Sequence, residues 1–401
     1  MQLRILDLFA GCGGLSLGLE QAGHTVVAAN EIDEWASDTY EANHKCSRLI
    51  RDDISNISTE SWRDNFAGKV DLVAGGPPCQ GFSVSGKRQK GQVLLKNQLV
   101  GNFLDVVENV DPRFALIENV GGFKTGKITK DQSVLDYVKS RFRKLGFETR
   151  VMVLQAAEYG VPSLRTRVFI LGSKTGFPVD PIPPITHSRE GRGGMNCYTT
   201  VEQALSDLPS VNAREGVDGG GKYESSPKNQ YQKILRMNSN GVYNHVAMNH
   251  SPRLVERFSK LLHGSSAYDI GKSGYPNDES VTVYKTNNQR LTPGLPSPCV
   301  TANFQSTHVH YRDARTITAR EAARLMSFPD SFVFHGKRTQ MSGSFLKKYG
   351  RDHENHLSQY NQIGNAVPPL LARAIGLQLG ILADTDGQAN LETQDVLDLE
   401  I

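Results

Sequence analysis

The sequence predicts an α/β protein with a mostly parallel sheet in its first 172 residues and a smaller, irregular unit after them, and three features carry that expectation. Short apolar, β-branched runs alternate with longer helix-compatible segments as far as Gly172. Acidic residues stand at the ends of successive runs, the edge on which such sheets gather ligands. After Gly172 the texture turns to proline, glycine and polar residues, and the alternation stops.

Six runs read as strands: Arg4–Phe9, Thr25–Asn30, Val70–Ala74, Phe114–Ile117, Thr149–Leu154 and Val168–Leu171. Beyond them, PVDPIPPITHSREGRGG and GVDGGGKYESSPKNQ read as loops. Helical spacing returns at Val201–Leu208, Pro252–Leu262, Thr318–Met326 and Pro369–Leu382, the last opening on Pro368-Pro369, where a helix start tolerates proline. From Asp384 the chain carries six acids and no base, which predicts a frayed acidic tail over 384–401.

A chain of 401 residues with 38% apolar and 22% charged residues can bury a sizeable core. The first apolar run is broken by Asp7, and no later stretch reads as a membrane span of about 18 apolar residues. A cytoplasmic protein with no membrane partner is expected. Five cysteines, with no C-x-x-C pair, argue against a disulfide framework and a cysteine-rich zinc site, which leaves a thiol available for chemistry. His308/His310 and His353/His356 lack partnering cysteines, and no metal is expected. Net charge is +3, with 23 Lys and Arg against 16 Asp and Glu over residues 173–360. That surplus suits an acidic polymer and equally an ordinary solvated surface.

Two stretches point to chemistry. In DLFAGCGG, Gly11, Gly13 and Gly14 follow the first strand, where glycines let the backbone turn and approach a ligand before a helix N-terminus. Glu31 ends the second run, where a ribose-binding carboxylate would lie, and Asp53 follows the next short run, RLIRDDI. In GGPPCQGFS, Cys79 stands just past the strand Val70–Ala74, on the same edge, held by Pro77-Pro78. The run FALIENV then ends in Glu118. Nucleophile, acid and cofactor site share one sheet edge, and the basic stretch FSVSGKRQKG follows the cysteine.

With these motifs in order, the chain resembles the DNA (cytosine-5)-methyltransferases of bacterial restriction-modification systems. DLFAGCGG, NEID, DDI, GGPPCQGFS, ENV, YGVPSLRTRVFILG, RTITAREAARLMSFPDSF and QIGNAVPP stand in the family's sequence, covering most of residues 3–172 and much of 290–376. The resemblance implies a Rossmann-like S-adenosylmethionine-binding catalytic domain, 1–172 plus 361–383, and a smaller, irregular target-recognition domain, 173–360. It implies the nucleophile at Cys79, the ring-protonating acid at Glu118 and paired arginines at Arg165 and Arg167. For the cofactor it implies adenine stacking at Phe9, ribose binding at Glu31, adenine contacts at Asp53 and Ile54, and the methionine end at Gly11, Gly13, Gly14 and Asn365. Ser163, Ile32 and the region of Lys96 depart from the family's usual residues, and Lys337 to Gln359 is a wider spacing than usual.

The implied reaction is methylation of carbon 5 of cytosine. A thiolate adds at carbon 6, Glu118 takes up the charge at ring nitrogen 3, and the base must be flipped from the duplex. Ser85 would enter the vacated space while Lys87, Arg88 and Lys90 grip phosphate as part of a mobile lid. The expected partners are double-stranded DNA, bound by a monomer, and functionally a restriction endonuclease. A binding protein without turnover is the rival of another class, but it would need none of Cys79, Glu118, Arg165 and Arg167. A tRNA-methylating relative would carry a CFT tripeptide in its second domain, and this chain has none.

Overall fold

The computed structural model describes residues 1–78, 90–124, 126, 132–269, 286–341 and 343–397, with the backbone alone for 90–97, 123, 124, 352 and 386–397. Its strands are β1 (Arg4–Leu8), β2 (Thr25–Asn30), β3 (Arg48–Ile50), β4 (Leu72–Gly75), β5 (Phe114–Asn119), β6 (Glu148–Gln155) and β7 (Thr166–Ser173). They form one sheet in the order β3-β2-β1-β4-β5-β7-β6. The six expected strands are present, and the short run RLI ahead of Asp53 forms the three-residue β3. Pairing is parallel from β3 to β5, whereas β7 inserts antiparallel between β5 and β6.

Helices cover both faces, so the central strands are buried on both sides and mostly apolar rather than alternating. In β5 all six residues are buried. One core joins β1, β4 and β5 to α1 (Gly14–Gln21) and the C-terminal helix through Leu19, Leu116, Leu371 and Ile375. The other packs α3 (Thr59–Phe66), α4 (Lys90–Val110) and α5 (Val134–Lys144) through Trp62, Phe103 and Phe142; α2 (Glu34–Asn43) flanks β2 and β3. Asp33, Ser58 and Ser133 cap α2, α3 and α5 by accepting backbone N–H groups, as short oxygen-bearing side chains do at helix starts. Because β1 lies between β2 and β4, the loops after β1 and β4 leave toward opposite sides. That divergence opens the ligand crevice of an open α/β sheet.

After β7 the chain is irregular, with two-residue strands and short helices: α6 (Val201–Leu205), α7 (Gln230–Arg236), α8 (Pro252–Ser259), α9 (Ala319–Leu325), α10 (Gly343–Lys348) and α11 (Gln359–Asn365). The pattern had predicted α6, α8 and α9. It misses α7, α10 and α11, which at six or seven residues span about two turns.

The last helix, α12 (Pro369–Leu397), corrects an expectation. The acidic stretch does not fray at Asp384; the helix continues to Leu397, because Gln388, Ala389, Leu391 and Glu392 are good helix formers and no proline interrupts them. The sequence predicts no membrane span, yet Gln359–Thr385 is by length and composition alone apolar enough to cross a membrane. Here its apolar side is core. A Cβ on Gly18 of α1 would lie 2.4 Å from both Ala372 Cβ and Pro369 O, and one on Gly376 would lie 2.6 Å from Ala22 Cβ, so glycines allow the two helices to touch.

Candidate active site

The loops following β1, β2 and β3 are laced together. Ala10 N–H donates to Asn30 O at 3.1 Å, Glu31 N–H to Ile50 O at 3.1 Å, and Asn30 Nδ2 to Ile50 O and Asp52 O. Phe9, half-buried, takes the unusual φ of 55°, and Gly11 and Gly13 also have positive φ. Around Gly11 a Cβ would find nothing within 4 Å, an open cradle, while Gly13 lies against His44 and Tyr40, and Gly14 against Val367 O. The last contact brings the turn between α11 and α12, with exposed Asn365, up to the glycine loop.

Glu31 is buried at this edge, its Oε2 accepting Gly11 N–H and its Oε1 accepting Asp33 N–H, each at 2.8 Å. Burial pushes its carboxyl up from the usual range, against the pull of those N–H groups. Each oxygen already takes a backbone N–H, and the Ile32 N–H also bears on the carboxylate. Asp53 caps a short turn through Ser55 N–H at 2.9 Å, Ile54 is buried behind it, and Ile32 stands 64% exposed on the rim. Phe9, Glu31 and Asp53 thus follow β1, β2 and β3 on one sheet edge, and the turn beside Asn365 packs on the glycine loop through Val367 O. The structure adds Asp7, which sequence reasoning used only to break an apolar run. Asp7 is wholly buried, accepts Ser16 Oγ–H at 2.6 Å, and has an Oδ1 without a partner; burial pushes it up to about 7.

Cys79, Ser85, Lys87 and Arg88 lie outside the described residues, and Lys90 opens α4 with its side chain likewise outside. The approach to Cys79 is described. Asn119 Nδ2 donates to Pro77 O at 3.0 Å, tying the end of β4 to the end of β5. A Cβ on Gly76 would lie 3.1 Å from Glu118 Oε2, so that loop passes against the carboxylate. Glu118 is 9% exposed, and Arg167 Nε lies 2.9 Å from its Oε1. Burial raises the Glu118 carboxyl, and Arg167 and then Arg165 oppose the rise.

The two arginines divide. Arg167, on β7 opposite β5, meets Glu118, whereas Arg165 is fully buried and donates to Val300 O at 2.6 Å, Gly364 O at 2.9 Å and Ala366 O at 2.9 Å. Arg165 is therefore a clamp joining β7 to the 300 region and to the turn before α12. Burial and the like charge of Arg167 disfavour its cation. Three more buried arginines organise the region after β7: Arg315 pairs with Glu321, Arg324 with Asp330 and Asp207, and Arg320 donates to Tyr243 O, Pro329 O and Phe332 O. A signal lies in RTITAREAARL, where Arg320 and Arg324 stand four residues apart among small apolar residues; nothing in the spacing names their partners.

The remaining thiols have other settings. Cys12 is buried and pushed up to about 12, Cys46 and Cys197 are exposed, and Cys299 is half-buried. Among the described residues no cluster of three or more His, Cys, Asp and Glu could hold a metal. His308 and His310 are buried beside Pro298 O and Glu321.

A family model described as C-5 cytosine-specific DNA methylase matches residues 3–380. The type II methyltransferase M.DdeI of Desulfomicrobium norvegicum is 42% identical over 381 residues, covering 93% of this chain and 87% of the relative. The type II methyltransferase M1.HphI of Haemophilus parahaemolyticus is 34% identical, covering 94% and 86%. Among solved structures, one described as a DNA modification methyltransferase encoded within a prophage of E. coli superposes with a TM-score of 0.70 at 27% identity, covering 96% of this chain and 100% of that one.

Proposed function

Since the chain belongs to the C-5 cytosine-specific DNA methylases and is a DNA (cytosine-5)-methyltransferase of restriction-modification type, we propose that it methylates carbon 5 of a flipped-out cytosine, within one double-stranded sequence, through a covalent adduct to Cys79. The observation that carries this reading is the buried Glu118 paired with Arg167 against the loop that leads into Cys79. A carboxyl raised by burial holds a proton better than a solvated one, and an arginine beside it fixes its direction. Such a group is suited to ring nitrogen 3 of cytosine.

The Cys79 thiolate adds to carbon 6, and Glu118 hydrogen-bonds or protonates nitrogen 3 as the electrons enter the ring. Carbon 5 then becomes nucleophilic. Once it carries the new methyl group, loss of its proton to a base and departure of the thiolate restore the ring. Arg167 holds Glu118 in place, and Arg165 positions the strand that carries Arg167.

The residues fit S-adenosylmethionine, which the family normally uses and which supplies an electrophilic sulfonium methyl when bound. Gly11 offers an open backbone cradle, Glu31 presents a carboxylate that a ribose hydroxyl can donate to, and Asp53 and Ile54 lie on the same edge as Phe9 for the adenine. The methionine end falls to Gly13, Gly14 and Asn365, where α12 returns to the loop. The region 173–360 reads the DNA sequence, with the catalytic unit formed by 1–172 and 361–383. Lys87, Arg88 and Lys90 grip phosphate through counterion release, and Ser85 fills the space the base leaves. The enzyme acts as a cytoplasmic monomer, and its type II relatives suggest a restriction endonuclease as functional counterpart.

DNA carrying 5-fluorocytosine tests the reading, since fluorine at carbon 5 cannot leave as a proton would. The wild type should form a denaturation-resistant protein–DNA complex, and Cys79→Ser should form none and methylate at least 10³-fold more slowly, roughly the scale of losing a nucleophile. Trapping by Cys79→Ser, or turnover within about tenfold of wild type, removes Cys79 from the mechanism.

A further inference from the structure

The stretch 337–359 has no part in the chemistry above, yet it ends against α2 beside the ribose carboxylate, and Asp33 is the meeting point. Asp33 Oδ1 accepts Ala36 N–H at 3.0 Å, its Oδ2 accepts Leu357 N–H at 2.8 Å, and its own N–H donates to Glu31 Oε1 at 2.8 Å. His356 stands over the same carboxylate. Its Nδ1 is 3.5 Å from Asp33 Oδ2, its Nε2 is 3.3 Å from Glu34 Oε2, and its ring centroid is 5.3 Å from that of Trp35.

Described residues of the stretch are tied to one another and to the core. Lys337 and Arg351 both pair with Glu354, Leu346 is buried, and Gln362 Nε2 donates to His335 O at 3.0 Å and Leu357 O at 2.8 Å. Trp35 packs on Gly336, where a Cβ would come within 2.6 Å of Trp35 Cγ. A chain of contacts therefore runs from a latched surface segment through Asp33 to Glu31 and on to the Gly11 N–H. Asp33 and Glu34 put two further carboxylates next to Glu31, so a histidine and an amide N–H directed at them offset repulsion where a ribose must bind.

We propose that the 336–358 segment is a brace for the cofactor site: His356 and the Leu357 amide hold Asp33, Asp33 holds Glu31, and the segment thereby sets affinity for the adenosyl cofactor. His356 is a positioning residue that acts through Asp33. The proposal rests on the reading of Glu31 as the ribose carboxylate.

The test is calorimetric titration of the full chain, purified free of cofactor, with S-adenosylhomocysteine. His356→Ala should weaken binding about 3- to 5-fold, the upper range for a partly exposed charged contact, and His356→Gln, which keeps a polar group toward Asp33, should stay within about 2-fold. The KM for the methyl donor should rise in step, while kcat at saturation stays at the wild-type value. Backbone amides of residues 31–36 should exchange hydrogen faster in unliganded His356→Ala. Should that variant fold poorly, Asp33→Asn keeps a competent helix cap and should weaken binding to the same degree. Glu31→Ala separates the two readings. Its losing binding while the His356 and Asp33 variants bind as wild type does overturns the brace alone, and its binding normally overturns the ribose site itself.

Discussion

Replacing Arg165 with Met tests whether this arginine serves the chemistry directly or holds the scaffold together. Its guanidinium is fully buried and satisfies three carbonyls within 3 Å, those of Val300, Gly364 and Ala366. Methionine fills a similar volume and leaves all three buried without a donor. Each unsatisfied group costs about 1–3 kcal/mol, offset in part because burying the cation was itself unfavourable, so a net loss of about 3–5 kcal/mol is expected. At about 2 cal/mol/K per residue, unfolding of a chain this size has an entropy near 0.8 kcal/mol/K, and the melting temperature should fall by about 4–6 °C. Differential scanning fluorimetry gives that shift, and methyl transfer well below the new transition gives kcat. Arg165→Met melting within about 1 °C of wild type while losing methyl transfer would refute the clamp and put Arg165 among the groups that touch the reacting base.

Three further perturbations read other parts of the structure. Glu118→Gln keeps the shape but cannot yield a proton, so single-turnover methylation should slow by about 10²–10⁴ with the Kd for DNA unchanged; a loss wholly in binding would make Glu118 a positioning residue. Asp7, raised from its ordinary 3.8 to about 7 in the folded chain, favours folding fully below pH 3.8, and that contribution fades as pH climbs toward 7. Urea unfolding should therefore show Asp7→Asn gaining about 2–3 kcal/mol on wild type between pH 5 and pH 7.5, and a pH-independent difference would show that Asp7 does not titrate in that window. Gly18→Val places a side chain where Ala372 Cβ and Pro369 O already stand at 2.4 Å. It should cost about 2–4 kcal/mol by forcing α12 from α1, seen as a lower melting temperature and earlier proteolysis of the C-terminal helix; wild-type values for both would mean that α12 does not pack there.

The sequence by itself determined what local chemistry can announce. Apolar runs of strand length located the sheet, and the acids that follow three of them located its ligand edge, because a strand buried on both faces must be apolar while its end need not be. Glycines in DLFAGCGG located a close approach of backbone to ligand, and Gly11 has the positive φ and the open space that approach requires. The acids Glu31, Asp53 and Glu118 came out on one edge for the same reason. Tertiary structure alone decided the direction of β7, which follows from where a neighbouring strand leaves room and not from its own residues. It decided that Arg167 meets Glu118 while Arg165, two residues away on the chain, faces the carbonyls of Val300, Gly364 and Ala366, a distribution of partners from positions 118 to 366 that no local pattern encodes. Asp7 and Asp33 belong with these. A carboxylate acquires its role from what excludes water around it and which N–H groups reach it, and both are set only when distant segments close over it.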